Sequence, residues 1–185
     1  MVSYLTQTAQ LTSELDRWIE ILLEENVRRY LEIGSLYGAS LWYVASALPR
    51  GSTVVSVDLC EKVEPFESLT SCIRALRQQP YKANLVRGDS TSKETIESVI
   101  GLGPFDAVFI DGNHAMPYIQ KDFTNYGMLA RIVGFHDIMW DRPPEWAGTR
   151  IDVPIWWREN RARYRSEEIV RSKKMNSNGI GVIWR

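Results

Sequence analysis

Two histidines occur among the 185 residues, and both stand near aspartate. His114 follows Asp111 by three positions in Ile110-Asp111-Gly112-Asn113-His114; His136 directly precedes Asp137. A neutral imidazole that titrates near pH 6.5 can take a proton from a hydroxyl. Paired carboxylates repel unless a cation relieves them, so such a pair can hold a metal ion or a positively charged ligand. More carboxylates stand at the ends of short apolar runs: Asp58 after Thr53–Val57, and Asp89, followed by Ser90, after Ala83–Val86. Glu32 lies two residues before Gly34 in Tyr30-Leu31-Glu32-Ile33-Gly34-Ser35-Leu36-Tyr37-Gly38.

These residues are placed by a regular alternation of elements. Leu11, Leu15, Trp18, Ile19, Leu22 and Leu23 follow helical spacing. Strands are expected over Arg29–Ile33, Thr53–Val57, Ala83–Val86, Phe105–Ile110 and Ile132–Phe135. Helices are expected over Ala39–Leu48, Ser68–Gln78, Lys93–Ile100 and Pro117–Leu129. Strands alternating with helices imply parallel strands joined by right-handed crossovers, hence an α/β, Rossmann-like, doubly wound and mostly parallel sheet. Two later strands, Glu168–Arg171 and Ile180–Trp184, suit an antiparallel hairpin added at the C-terminal end. One domain is expected, with an N-terminal helical segment over 1–27, a cofactor-binding core over 28–138 and a Trp-rich cover with the last strands over 139–185.

In an open α/β sheet, ligands bind beyond the carboxyl ends of the strands, which is where Gly34, Asp58, Asp89, Asp111 and His136-Asp137 fall. Gly34 and Gly38 flank a tight strand-to-helix turn that lets backbone approach a ligand. A pyrophosphate-binding turn would read G-x-G-x-x-G. Leu36 stands where the second glycine belongs, and Glu32 would repel phosphate, which disfavours a nucleotide-dependent oxidoreductase. Asp58 can accept hydrogen bonds from both hydroxyls of a ribose, and Asp89-Ser90 can meet an adenine edge. A ligand with an adenosine and an amino-acid end but no phosphates fits: S-adenosylmethionine.

The segments LEIGSLYGAS, VVSVDL, VRGDS, FDAVFIDGNH and GFHDI resemble, in order and spacing, the class I S-adenosylmethionine-dependent methyltransferases. Among these they are most similar to a small O-methyltransferase-like group with IDG-x-H after the fourth strand and HD after the fifth. The resemblance covers about residues 28–140. It implies that Glu32, Gly34, Ser35 and Gly38 border the methionine end of the cofactor, Asp58 and Leu59 the ribose, and Asp89 and Ser90 the adenine. It places Asp111 beside the cofactor's amino group and the acceptor, with His114 as catalytic base. Related metal-dependent enzymes hold a divalent ion through the residues matching Asp111, Asp137 and Ile138. Isoleucine cannot coordinate, and strand alternation would point His136 away from Asp137. A Mg²⁺ ion on Asp111 and Asp137 is therefore expected to be weakly held, and His136 to serve a structural hydrogen bond. The chain also lacks the Pro-Gly-Gly usual before strand five, where Leu129-Ala130-Arg131 stands.

Composition narrows the partners. Hydrophobic residues make up 44% and net charge is −1, which supports a full core and argues against nucleic acid. Residues 158–185 are basic, and Arg158 to Lys174 is expected to be a solvated face. No apolar run is long enough for a membrane span, the first residues do not read as a signal peptide, and the two cysteines, Cys60 and Cys72, form no disulfide framework. A cytoplasmic enzyme acting on a small-molecule or sugar-type acceptor is expected. Trp140 and Trp146 are candidates for the acceptor wall, and at least one of the adjacent Trp156 and Trp157 is expected to pack on the core. The competing expectation is a degenerate methyltransferase fold that binds cofactor without turnover. Oligomeric state is not readable.

Overall fold

The computed structural model describes residues 12–140, 145–146, 149–170 and 178–185. The start of the first helix at Leu11, Pro143-Pro144, the Trp146 side chain and the basic residues at 171–174 lie outside what is described.

Helix α1 (Thr12–Glu24) leads into a seven-stranded sheet. Strands β1 (Arg29–Ile33), β2 (Thr53–Asp58), β3 (Lys82–Arg87), β4 (Ala107–Ile110) and β5 (Ile132–His136) are parallel. Helices α2 (Ala39–Ala47), α3 (Val63–Gln78), α4 (Lys93–Ile100) and α5 (Met116–Asn125) alternate with them. After a two-residue ribbon, β6 (Glu145–Trp146) and β7 (Thr149–Arg150), come helix α6 (Val153–Asn160) and strands β8 (Arg165–Ile169) and β9 (Ile180–Trp184). The order is β3-β2-β1-β4-β5-β9-β8, with β9 antiparallel to both β5 and β8. The doubly wound sheet and its late antiparallel pair are thus as expected.

Strand periodicity divides the core between two faces. Tyr30, Phe109 and Ile132 face α1–α3, with Trp18, Leu41, Val44, Leu69 and Ile73. Leu31, Val108 and Val133 face α4–α6, with Val99, Ile119, Phe123, Trp156 and Trp157. Strand order reverses between β1 and β4, and there the carboxyl edge opens into a cleft.

Several boundaries differ for local reasons. Helix α3 begins five residues before the expected Ser68, because Pro65 lies in its first turn, where no intrahelical donor is lost. Strand β4 starts at Ala107, since Asp106 turns its carboxylate to accept from the backbone N–H groups of Arg28 and Arg29, each at 2.8 Å. Helix α5 ends at Asn125, and a 3₁₀ turn over Gly127–Leu129 makes the connection into β5 that Pro-Gly-Gly would otherwise make. Helix α6 was not expected. Its Pro154 sits at the start, again without cost, and Trp156 and Trp157 are each 1% exposed. Trp156 packs on Phe135 with ring centroids 4.5 Å apart, and Trp157 donates to Glu168 Oε1 at 2.7 Å. Both tryptophans therefore pack on the core.

Candidate active site

The cleft at the carboxyl edge has a volume of about 590 Å³. Of the expected cofactor residues, Gly34, Asp58, Leu59, Asp89, Ser90 and Asp111 line it, and so does the expected base, His114. Glu61, Asn113 and Tyr118 line it as well, and were not foreseen. Four carboxylates and one imidazole face the cleft, and among the described residues no Lys or Arg does. That lining suits a ligand that is cationic and bears hydroxyls rather than phosphates, as S-adenosylmethionine does.

The first turn is built on close backbone approach. Gly34 has φ +86°, and a Cβ there would lie 2.3 Å from the carbonyl oxygen of Asp111. The glycine thus lets the end of β1 close against the end of β4. Asp58 ties this turn to the next one: its Oδ2 accepts from the Leu36 N–H and its Oδ1 from the Cys60 N–H, both at 2.8 Å. Leu36 and Cys60 both have positive φ, 47° and 52°, a conformation side chains usually avoid. The carboxylate holds both turns in it. Asp89 shapes the third turn, accepting from the backbone and hydroxyl of Thr91 at 2.8 and 2.9 Å.

Three residues expected at the methionine end stand behind the cleft wall instead. Glu32 is fully buried; its carboxylate accepts from Tyr30 Oη at 2.9 Å and Ser40 Oγ at 2.8 Å. Burial pushes its carboxyl up to about 7, against these hydrogen bonds. Ser35 accepts from Ser56 Oγ at 2.8 Å and is 3% exposed. Gly38 packs on α3, where a Cβ would meet the Cys72 side chain at 3.0 Å. These residues form the inner support of the turn. Burial pushes the thiols of Cys60 and Cys72 up to about 12, so neither supplies a thiolate.

At the other end of the cleft, β4 and β5 bring two aspartates and two histidines together. His114 Nε2 lies 3.3 Å from Asp111 Oδ1 and 3.3 Å from Asp137 Oδ2. His136 Nδ1 lies 3.1 Å from Asp111 Oδ1 and 3.1 Å from Asp137 Oδ1. The expectation that strand alternation would separate His136 from Asp137 fails because Asp137 leaves the strand with φ 64°. Its side chain swings back to the His136 side, and aspartate tolerates this left-handed backbone better than most residues. Ile138 is buried in the core and takes no part.

The electrostatics follow from burial and charge. Burial would raise the Asp111 carboxyl, but His136 and His114 hold it below the usual carboxylate range. Burial would lower both histidines, yet the hydrogen bond and charge of Asp111, with the charge of Asp137, raise them above the ordinary value. Asp111, His136 and Asp137 also offer donor atoms within 4.8 Å of one another, a set that could hold a metal ion. Among the described residues, His136 Nε2 is buried without a hydrogen-bond partner, while Asp137 Oδ1 is buried against His136 Nδ1. Behind Asp89 and Ser90, Asp122 of α5 is fully buried, and burial pushes its carboxyl up to about 7. Trp140, half-buried after Asp137, is not among the residues lining the cleft.

The fold matches those of solved methyltransferases. An O-methyltransferase from Streptomyces achromogenes involved in tomaymycin synthesis, solved with S-adenosylmethionine, is 20% identical with a TM-score of 0.71. That match covers 100% of this chain and 90% of the other. An O-methyltransferase from Bacillus cereus, solved with S-adenosylhomocysteine, is 16% identical with a TM-score of 0.68, covering 97% of this chain and 84% of the other. No curated protein sequence matches the chain. A family profile described as a methyltransferase domain matches residues 31–138, more than half of the chain, and the chain belongs to that family. The methyltransferase assignment implied by the motif order therefore stands.

Proposed function

We propose that this chain transfers a methyl group from S-adenosylmethionine to a hydroxyl oxygen of a small-molecule acceptor, with His114 taking the acceptor's proton. The observation that carries the reading is the position of His114: it lines the cleft while its Nε2 is held 3.3 Å from each of two carboxylates. S-adenosylmethionine supplies an activated methyl group on a sulfonium. The chain must align the acceptor and receive its proton. Asp58, Asp89 and the Gly34 turn bind the adenosine. Asp111 and Asp137 orient the imidazole and stabilise the cation that it becomes after accepting the proton. The same carboxylates raise its proton affinity, so it serves as base only above the ordinary histidine range. The test is release of S-adenosylhomocysteine over a panel of phenols, catechols and hexoses, wild type against His114→Ala. Equal turnover in the two would remove His114 as base.

A second reading rests on Asp111, His136 and Asp137. Their donor atoms, clustered within 4.8 Å of one another, suit a divalent cation. A mixed nitrogen and oxygen set favours a transition metal over Mg²⁺. There Asp111, His136 and Asp137 would hold the cation, which would neutralise and orient an acceptor oxyanion. The expected metal requirement is weak, because the two imidazoles already offset the two carboxylates. Full loss of turnover in EDTA, restored by Mn²⁺, would establish the cation reading instead.

A further inference from the structure

The IDGNH loop that carries His114 is gripped from outside the region matched by the family profile. Asp152 stands just before α6. Its backbone N–H donates to the His114 carbonyl at 2.8 Å, and its Oδ2 accepts from the Met116 N–H at 3.0 Å. One residue therefore holds the chain on both sides of position 115. Its Oδ1 accepts from Arg150 Nε at 2.7 Å, and its own carbonyl opens α6 by accepting from the Ile155 and Trp156 N–H groups. The Asp152 side chain is only 4% exposed, so these bonds are sheltered from water.

Asp152 is itself held in place. Trp156, one turn on, donates to Gln120 Oε1 of α5 at 2.9 Å and packs on Phe135 of β5. Helix α6 is thus fixed to α5, which follows the histidine loop, and to β5, after which Asp137 comes directly. The ring of His114 spans two carboxylates on different strands, at 3.3 Å from each. A loop free to move by an ångström would lose one of them. We propose that Asp152 is a positioning residue for His114: it couples the Trp-rich C-terminal segment to the acceptor end of the cleft and keeps the imidazole between Asp111 and Asp137. The proposal rests on the reading of His114 as the proton acceptor only for its catalytic consequence.

The test compares wild type, Asp152→Ala, Asp152→Asn, His114→Ala and the double variant Asp152→Ala/His114→Ala. Three quantities are measured: S-adenosylmethionine affinity by calorimetry, imidazole resonances by NMR, and turnover with the best acceptor of the hydroxyl panel. Two histidines make the imidazole spectrum simple, and His114→Ala assigns it. Asp152→Ala is expected to move or broaden the His114 signal and to leave cofactor affinity within about twofold. It should lower kcat about 10²-fold, the usual cost of a small misplacement. Asp152→Asn keeps an oxygen for the Met116 N–H and should recover most of the loss. It also stands in as the folded comparison should the alanine variant not fold, its His114 signal then matching wild type. On the His114→Ala background, Asp152→Ala should cost nothing further in turnover. An unmoved His114 signal in Asp152→Ala, a shifted one in Asp152→Asn, or an undiminished loss on the His114→Ala background would each overturn the proposal. Wild-type turnover in His114→Ala would sink the base reading alone, and the resonances would still decide the role of Asp152.

Discussion

The two ends of the cleft are built on different principles. At the adenosine end the carboxylates are anchors. Asp58 gives both oxygens, and Asp89 one, to backbone N–H groups of the turns that they shape, and both residues line the cleft. At the end proposed for the acceptor, Asp111 and Asp137 meet two imidazoles, both raised above the ordinary value by these carboxylates. In the proposed reaction the first end would recognise a constant ligand through fixed geometry, and the second would change charge. Backbone-anchored carboxylates give rigidity, whereas a buried cluster of titrating side chains gives a tunable proton affinity.

The variants that would test this contrast span a wide range of effect. Gly34→Val should be the most severe, because its Cβ would lie 2.3 Å from the Asp111 carbonyl and its φ is +86°. The clash is with backbone, so the ends of β1 and β4 must part. Cofactor binding should vanish and the melting temperature should fall sharply, a loss exceeding roughly 4 kcal/mol. A stable variant with normal S-adenosylmethionine affinity would refute this account of the turn.

His114→Ala comes next. Turnover should fall by about 10²–10⁴-fold, with cofactor affinity nearly intact. Since Asp111 and Asp137 raise the histidine, the wild-type rate should climb with pH on a limb centred above ~6.5. That limb should be missing from the mutant. A limb at or below 6.5 would mean that the carboxylates do not act on His114 as the geometry requires.

Asp122 tests the buried wall behind the adenosine end. Its carboxyl is pushed up to about 7, above the ordinary value near 4 that it regains on unfolding. The folded protein therefore holds this proton longer. Its contribution to stability is full below about pH 4 and is lost as pH rises through about 7. The whole effect is at most roughly 4 kcal/mol. Asp122→Asn should flatten the fall in denaturant stability between about pH 4 and 7. A fall as steep in the mutant as in wild type would assign the slope elsewhere, Glu32 first.

The smallest effect expected is that of Asp58→Ala. Two charge-assisted ribose bonds would be lost and two turns loosened, weakening S-adenosylmethionine by about 3 kcal/mol, or ~10²-fold. The folded core should survive, since Asp58 sits at the rim. An unchanged dissociation constant in calorimetry would remove Asp58 from the adenosine site.

Much of the cleft was legible because strand-terminating residues are read directly from apolar runs. Asp58, Asp89, Asp111 and His114 follow such runs and line the cleft. Glu32, Ser35 and Gly38 were assigned to the ligand by resemblance, but they face inward, since side chains alternate along β1 and the turn folds back on α2 and α3. Helix α6 was illegible because it is short and holds Pro154 and the adjacent Trp156 and Trp157, so neither its periodicity nor its propensity signals a helix. Asp152 stands beyond every motif, and nothing local marks it as a partner of residues 114 and 116.

Local sequence thus determined the order of strands and helices, the edge of the sheet at which polar residues gather, and the acidic character of the cleft. Periodicity and turn chemistry act over a few residues, so they survive in the bare sequence. The tertiary structure alone decided which carboxylates meet which imidazoles. That depends on the left-handed turn at Asp137, on the close approach that Gly34 permits, and on a clamp from a helix far along the chain. Such contacts join residues distant in sequence, and their geometry exists only once the sheet has closed.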